Sequence, residues 1–324
     1  MNSRKVIVIK GPTASGKTSL SLEVANKYES EIVNFDSLLF YKELNIGVAK
    51  PTQDELESCI HHFVSTDSIK TPVNAFSFSQ KAVQVINNIL DQHKTPILVG
   101  GSGFYLQAII QGMYESASTS KETKIRSDSL YRDSGITPFL KILEEKDLDS
   151  FKKYHAHDHY RIRRAVEYYW DNNGPISMAR DQKETDNQDK SNWPSIIHSW
   201  DILDIYLDIP KEDHLKIIDS RTQSMMQNGL IKEVEELLTN YCPELKPLKS
   251  IGYKETINFL QGDNTNKDSL IERINISTRQ LAKAQRTWFK KRSSTAYHPL
   301  KDRSQILQKI ESFLNKQDIN YVKK

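Results

Sequence analysis

Gly11-Pro12-Thr13-Ala14-Ser15-Gly16-Lys17-Thr18 matches G-x-x-x-x-G-K-[ST] in full. A loop of this kind cradles a diphosphate or triphosphate, because its N–H groups and the positive end of the next helix point at the anion. Lys17 would neutralise phosphate oxygens, and the Thr18 hydroxyl would hold Mg2+. The flanks supply the context that chemistry needs. Lys5 to Ile9 is apolar and β-branched, of strand type, and Ser19 to Tyr28 carries Leu20, Val24 and Ala25 at helical spacing. The loop leaves open which phosphate compound binds, and whether phosphate is transferred or discarded.

Three further side chains are candidates. Asp36 ends the strand after the loop's helix and so should lie beside the phosphates. It can serve as a Mg2+-side carboxylate or as a general base towards an acceptor nucleophile; as plain structure, Asp-Ser is a common turn pair. Ser102 lies in Gly100-Gly101-Ser102-Gly103, where glycines let backbone approach a ligand, though an ordinary turn has the same composition. Arg221, on a helix, can clamp a leaving diphosphate with two N–H groups, whereas a lone helical Arg is usually solvated or ion-paired.

Charge clusters on one late helix. Arg279, Lys283, Arg286 and Lys290 follow i, i+4, i+7, i+11 spacing, Lys291 and Arg292 extend them, and no acidic residue occurs from Arg279 to Arg292. A solvated helix gains from mixed-sign pairs; a one-signed face instead builds a field suited to phosphodiester backbone. Trp288 and Phe289 beside it are either core or stacking groups. Tyr160-Arg161-Ile162-Arg163-Arg164 is a second, weaker basic cluster. His155, His157 and His159 alternate but straddle a helix start, which separates them as metal ligands.

The elements that must position these groups alternate strand and helix in the first third. Strands are expected at Lys5 to Ile9, Glu31 to Phe35 and Thr95 to Val99, and helices at Phe76 to His93 and Phe104 to Gln111. That alternation argues a P-loop NTPase-like parallel sheet with flanking helices, an α/β fold with ligand at the carboxyl ends of its strands. Residues 115–192 read as an inserted all-helical domain between polar loops, Ser116 to Ser120 and Asp181 to Asn192. Thr137-Pro138 opens one of its helices and Asp158 caps another. The core would thus comprise residues 1–114 and 193–324. Its second part has a strand at Asp201 to Ile209 and helices at Lys211 to Gln227, Leu230 to Thr239 and Leu270 to Lys291, then a polar helical tail from Lys301.

Composition sets outer limits. The 324 residues suffice for one large domain or two modest ones, and a net charge of +3 is too small to argue nucleic-acid binding by itself. Two distant cysteines, Cys59 and Cys242, form no disulfide framework or zinc pattern and suit a reducing compartment. No apolar run is long enough to span a membrane, and the first strand follows the N-terminus too closely for a signal peptide. A cytoplasmic protein with no membrane contact is expected.

Taken in order along nearly the whole chain, these pieces resemble the tRNA dimethylallyltransferases (the IPP transferase family). The P-loop is shared by many nucleotide binders. More specific are Asp36-Ser37-Leu38-Leu39-Phe40-Tyr41-Lys42, Asn45 to Pro51, Gly100 to Leu106, and Thr278-Arg279-Gln280-Leu281-Ala282-Lys283-Ala284-Gln285-Arg286-Thr287-Trp288. His155 to Glu167, Arg221 to Leu238 and Ile251 to Glu255 are similar to further family segments. Departures are Leu39 where the family often has Gln, Val48 where it has Thr, Ser102 where it has Thr, and His157 where it has Asn.

The resemblance implies transfer of a dimethylallyl group from dimethylallyl diphosphate to N6 of adenosine 37 in the tRNA anticodon stem-loop, releasing diphosphate. It implies Asp36, Lys17, Arg221 and Ser102 as catalytic residues, Gly11 to Thr18 as the diphosphate loop, and Mg2+ on Thr18. It further implies tRNA contacts from Asp36, Ser37, Leu38, Leu39, Ser102, Tyr160, Arg161, Arg164, Gly252, Tyr253, Lys254, Arg279, Lys283, Gln285, Arg286, Trp288 and Lys290, in a monomer. Two designs compete with it. A small-metabolite kinase shares the P-loop, the adjacent Asp and a lid-like insertion, but needs no one-signed helix face. A nucleotide-switched RNA-binding protein usually carries Asn-Lys-x-Asp after a strand, where this chain has only Asn26-Lys27-Tyr28-Glu29 within a helix.

Overall fold

Strand β1 (Arg4–Lys10) is buried from Val6 onward, as a strand flanked on both edges and both faces must be. In the computed structural model, which describes residues 4–112, 119–179, 200–262, 266–293 and 295–316, it is central to a six-stranded sheet. β2 (Glu31–Asn34), β3 (His61–His62), β4 (Pro96–Gly100), β5 (Trp200–Leu207) and β6 (Ala296–Tyr297) complete the order β3-β2-β4-β1-β5-β6. Every pairing is parallel: Ile7 of β1 lies opposite Ile97 of β4 and Leu203 of β5. The parallel α/β sheet expected from sequence is therefore present. Parallel register puts the carboxyl ends of β1, β2 and β4 side by side, and with them the P-loop, Asp36 and Gly100 to Gly103.

Helices α1 (Lys17–Lys27), α2 (Gln53–Ser58), α3 (Ala75–Asp91) and α4 (Gly103–Gln111) belong to the first part of the core. α5 (Lys121–Ser134), α6 (Thr137–Lys146), α7 (Leu148–Lys153) and α8 (His159–Asn172) follow. After β5 come α9 (Lys211–Gln227), α10 (Leu230–Asn240), a 3-10 turn at Lys246–Lys249, α11 (Tyr253–Leu260), α12 (Lys267–Lys290) and α13 (Arg303–Asn315).

One apolar cluster packs a sheet face against α1 and α13: Ile7, Ile9, Leu20, Val24, Ile97, Ile205, Ile306 and Ile310 are all buried. The polar tail is thus an amphipathic helix whose Ile306 and Ile310, at i and i+4, each contribute on the order of 2 kcal/mol by burial. A second cluster joins α9 to α12 through Met225, Leu230, Val234, Leu237, Tyr253, Ile257 and Ile274. Leu230, Val234 and Leu237 form one stripe of α10, whose start is fixed by Gly229 at φ +96°.

The chain divides into two compact units, Met1–Gln111 with Ser199–Lys324, and Gly112–His198. The sequence had suggested divisions after 114 and 192. The second unit is helical in its described residues and has its own core of Phe139, Leu143, Ile162, Ala165, Val166 and Ile176. The polar loop at Asp181 to Asn192 and residues 116–118 lie outside the described residues.

Sequence patterns did not reveal α2, α11, β3 or β6. Strands of two residues carry no period, and α2 buries no side chain; a capping box of Thr52 and Glu55 holds its start.

Candidate active site

The P-loop turns on Gly16 at φ +80°, which also caps α1. Lys17 folds back along the loop, donating to the carbonyl oxygens of Pro12 at 2.6 Å and Gly11 at 3.1 Å. Burial pushes its ammonium down to about 8; the facing Asp36 carboxylate works against that fall and Arg221 adds to it. Thr18 is exposed on the first turn of α1. The Ser15 hydroxyl is buried without a protein partner among the described residues.

Asp36 is oriented by its own turn. Asn34, buried at the end of β2, accepts from the Asp36 N–H at 2.9 Å and donates to the Asp36 and Phe63 carbonyl oxygens. The Asp36 carboxylate accepts from Leu38 N–H at 3.3 Å, an Asx turn. Ser102 accepts from Ser37 N–H at 3.2 Å and donates to the Ser37 hydroxyl at 3.3 Å, so the two strand ends are laced together.

Arg221 reaches in from α9. It donates to the Thr13 hydroxyl at 3.2 Å and to the Val48 carbonyl at 3.3 Å. Burial works against its charge and Asp36 favours it. Val48 belongs to a turn gripped by Glu233 of α10, whose carboxylate accepts from the N–H groups of Asn45, Ile46 and Gly47 and from the Tyr253 hydroxyl. Gly47 is required there, since a Cβ would lie 2.5 Å from the Tyr253 ring.

Thr13, Asp36, Ser102, Val48 and Arg221 border a cavity of about 350 Å³. One part of its lining is polar: Thr13, Asp36, Ser37, Ser102, Arg221 and Gln285. Another part is apolar: Val48, Ile218, Met225, Ile251, Ile274 and Leu281. Asp36, Arg221 and Ser102, far apart in sequence, thus meet at one cavity, and Lys17 lies close enough to Asp36 and Arg221 for both charges to act on its ammonium.

The residues expected to touch RNA separate into groups. Ser37, Leu38, Gly252 and Gln285 line the cavity. Leu39 is half-buried, with its carbonyl accepting from Ser65 N–H. Lys254 and Lys283 are exposed. Tyr253 is fully buried, so its ring offers no face to a ligand. Trp288 is half-buried, with the Arg292 guanidinium 4.0 Å over its ring and Gly103 directly against it.

The one-signed face of α12 needs correction. Arg279 pairs with Glu272, about two turns earlier on the same helix, and Arg286 turns onto Asp208 at 2.7 Å. Lys290 lies 3.5 Å from the same Asp208. Of the four spaced cations, Lys283 alone lacks an anionic partner among the described residues. Counter-charges come from outside the window, so Arg286 is not part of a free cationic face.

Within the second unit Arg161 pairs with Asp158 at 2.6 Å and Arg164 with Glu167 at 3.0 Å, while Tyr160 is exposed. The histidines do not converge: His159 bonds Tyr131, and His155 lies against His157. No group of three or more His, Cys, Asp or Glu suited to a metal exists among the described residues. The Mg2+ expectation fits another donor set. Mg2+ keeps waters and substrate phosphates and takes few protein ligands, so the exposed Thr18 hydroxyl at the start of α1 is the group that would hold it.

Sequence reasoning missed His214, Glu233 and Asn34. Asn34 had a signal, an amide two residues before Asp36, and Glu233 lies in the family-like segment Arg221 to Leu238; His214 acts across a long sequence separation that no local pattern records.

Comparison with known proteins bears on what this arrangement does. The family model described as IPP transferase matches residues 39–292. The tRNA dimethylallyltransferase 2 of Geotalea uraniireducens is 35% identical, over 89% of this chain and 89% of its own. A crystal structure of the tRNA Δ2-isopentenylpyrophosphate transferase of Staphylococcus epidermidis is similar over 96% of this chain and 98% of its own, at 28% identity and a TM-score of 0.65. A eukaryotic dimethylallyltransferase acting on tRNA shares the fold, with a TM-score of 0.76 over 98% of this chain and 81% of its own, at 24% identity.

Proposed function

This chain belongs to the IPP transferase family, and from that premise we propose that it prenylates tRNA, moving a dimethylallyl group from dimethylallyl diphosphate to N6 of adenosine 37. The observation that carries the reading is the two-sided cavity: a polar lining of the Arg221 guanidinium, hydroxyls and the Asp36 carboxylate next to one of aliphatic side chains. That combination suits a ligand with a charged diphosphate head and a hydrocarbon tail.

The chemistry follows from the positions. Residues 11–18 hold the diphosphate on loop N–H groups and the start of α1. Val48, Ile218 and Met225 shelter the isoprenoid from water. The N6 lone pair attacks the allylic carbon, the carbon–oxygen bond breaks, and its electron pair leaves on the diphosphate. Asp36 accepts the N6 proton. Lys17 and Arg221 meet the charge that grows on the departing oxygens, the kind of contact whose loss costs about 100- to 1000-fold in rate. Ser102, tied to Ser37, orients the adenine beside Asp36. Mg2+ on Thr18 would supply further neutralisation of the diphosphate. Unstacking the adenine costs a few kcal/mol, least in a single-stranded loop. Exposed Lys283, Lys254 and Lys291 supply backbone attraction.

The reading takes the enzyme as a monomer, and no helix among the described residues is long and apolar enough to cross a membrane. Purified protein, anticodon stem-loop RNA, Mg2+ and labelled dimethylallyl diphosphate are expected to give labelled RNA. Phosphate transfer from ATP to a small acceptor, with no prenyl transfer, would replace this reading with a kinase.

A further inference from the structure

Thr13 is held by all three of its polar atoms. Its N–H donates to Gln285 Oε1 at 2.7 Å, its hydroxyl accepts from Arg221 at 3.2 Å, and its carbonyl oxygen lies 2.8 Å from His214 Nε2. The first two partners line the cavity. His214 does not; it lies behind the loop on α9, 3% exposed.

The tautomer of His214 can be deduced. Its Nδ1 lies 3.0 Å from Arg286 Nη2. A guanidinium only donates, so Nδ1 accepts and Nε2 carries the ring proton. That proton points at the Thr13 carbonyl. Arg286 is itself fixed, donating to Asp208 Oδ1 at 2.7 Å and to the Ile209 carbonyl at 3.2 Å. Asp208 in turn sits where its N–H donates to the Tyr297 carbonyl at 3.0 Å. Two consecutive residues of α12 therefore grip the P-loop, Gln285 directly and Arg286 through the imidazole.

We propose that His214 is a positioning residue: as the Nε2–H tautomer it latches Thr13, and with it the P-loop and Arg221, in the diphosphate-binding arrangement, and a proton on Nδ1 releases the latch. The proposal rests on the diphosphate reading of the P-loop given above. A proton on Nδ1 would aim an N–H at a guanidinium that can only donate, so the ring must leave Arg286. The charged groups facing His214 are Arg286 from α12, Lys17 from α1 and Asp208 at the end of β5. Lys290 of α12 also approaches Asp208. Burial is the main force against the charged ring; Arg286 and Lys17 add to it, while Asp208 opposes. The ring is accordingly neutral at neutral pH and charges only in acid.

The test compares wild type with His214→Leu and His214→Gln, reading inorganic pyrophosphate binding by calorimetry and prenyl transfer across pH. Leucine removes the donor and leaves the Thr13 carbonyl unpartnered. Pyrophosphate affinity and kcat/KM for the donor are expected to fall about 10- to 100-fold, the scale of a misplaced reacting group, with RNA affinity unchanged. Glutamine can place an amide N–H near the Nε2 position but does not titrate. It is expected to recover most of the loss and to make pyrophosphate binding less sensitive to acid than in wild type. Wild-type pyrophosphate affinity in the leucine variant, or a loss of pyrophosphate affinity on acidification as steep in the glutamine variant as in wild type, overturns the latch. If the leucine variant does not fold, the glutamine profile decides alone. Wild type that binds pyrophosphate but transfers no prenyl group sinks the functional reading and leaves the binding comparison to judge the latch.

Discussion

Arg221 donates to the Thr13 hydroxyl at 3.2 Å although 208 residues separate them. A cation from α9 is thereby built into the loop that follows β1, and its other nitrogen braces the Val48 carbonyl at 3.3 Å. Arg221→Ala is expected to lower kcat by about 100- to 1000-fold with little change in RNA affinity. Arg221→Lys should restore little, because one ammonium cannot reach Thr13, Val48 and diphosphate together. Single-turnover transfer beside an RNA-binding assay checks both.

Lys17 is held at a cost to the fold. Its folded pKa of about 8 lies below the ordinary 10.5, so between those values the unfolded chain binds a proton that the folded chain has released. Stability therefore rises with pH across that window, and below it the fold carries the full penalty of the buried charged ammonium. Lys17→Met is expected to abolish transfer, to raise Tm at neutral pH, and to remove the rise in Tm above pH 8 that wild type should show. The same titration gives wild-type kcat/KM for the donor an alkaline limb near the pKa of about 8, since the free enzyme loses the cation there. A lower Tm in the methionine variant would contradict this account.

Asp36 and its brace separate chemistry from binding. Asp36→Ala should remove transfer while stem-loop RNA still binds. Asn34→Ala leaves the carboxylate in place but frees its turn, and is expected to lower kcat without changing RNA affinity. Retained turnover in Asp36→Ala would take the carboxylate out of its role.

The two sides of α12 should respond differently to salt. Lys283 is exposed and unpaired among the described residues, so Lys283→Ala should reduce the log–log salt slope of RNA binding by about 0.9 or less. Gln285 spends its amide on Thr13 and on the Gly101 carbonyl at 2.9 Å. Gln285→Ala should leave the slope alone and lower kcat.

Glu233 tests the wall of the cavity. Its carboxylate satisfies the N–H groups of Asn45, Ile46 and Gly47, and Glu233→Ala strands them. About 1–3 kcal/mol of stability is expected to go, seen as a lower denaturant midpoint. Donor KM should rise too, because Val48 loses its anchor.

The amino-acid sequence by itself determined the parallel α/β core, the phosphate loop and the positions of Asp36, Ser102 and Lys17, because each is written locally. A strand's apolar run, a glycine loop and a helix start are readable within about a dozen residues. Tertiary structure alone decided which partners those groups meet. Arg286 looked like one more cation on a basic stripe, until the fold brought Asp208 to it and turned it onto His214. Tyr253 lay in a motif suited to RNA contact and is buried on Glu233. Helical spacing states which residues share a face but not what packs against it. Ion pairs and hydrogen bonds are made across distances in sequence that only the folded chain closes, and there burial and counter-charge settle whether a side chain meets a ligand or holds the residues that do.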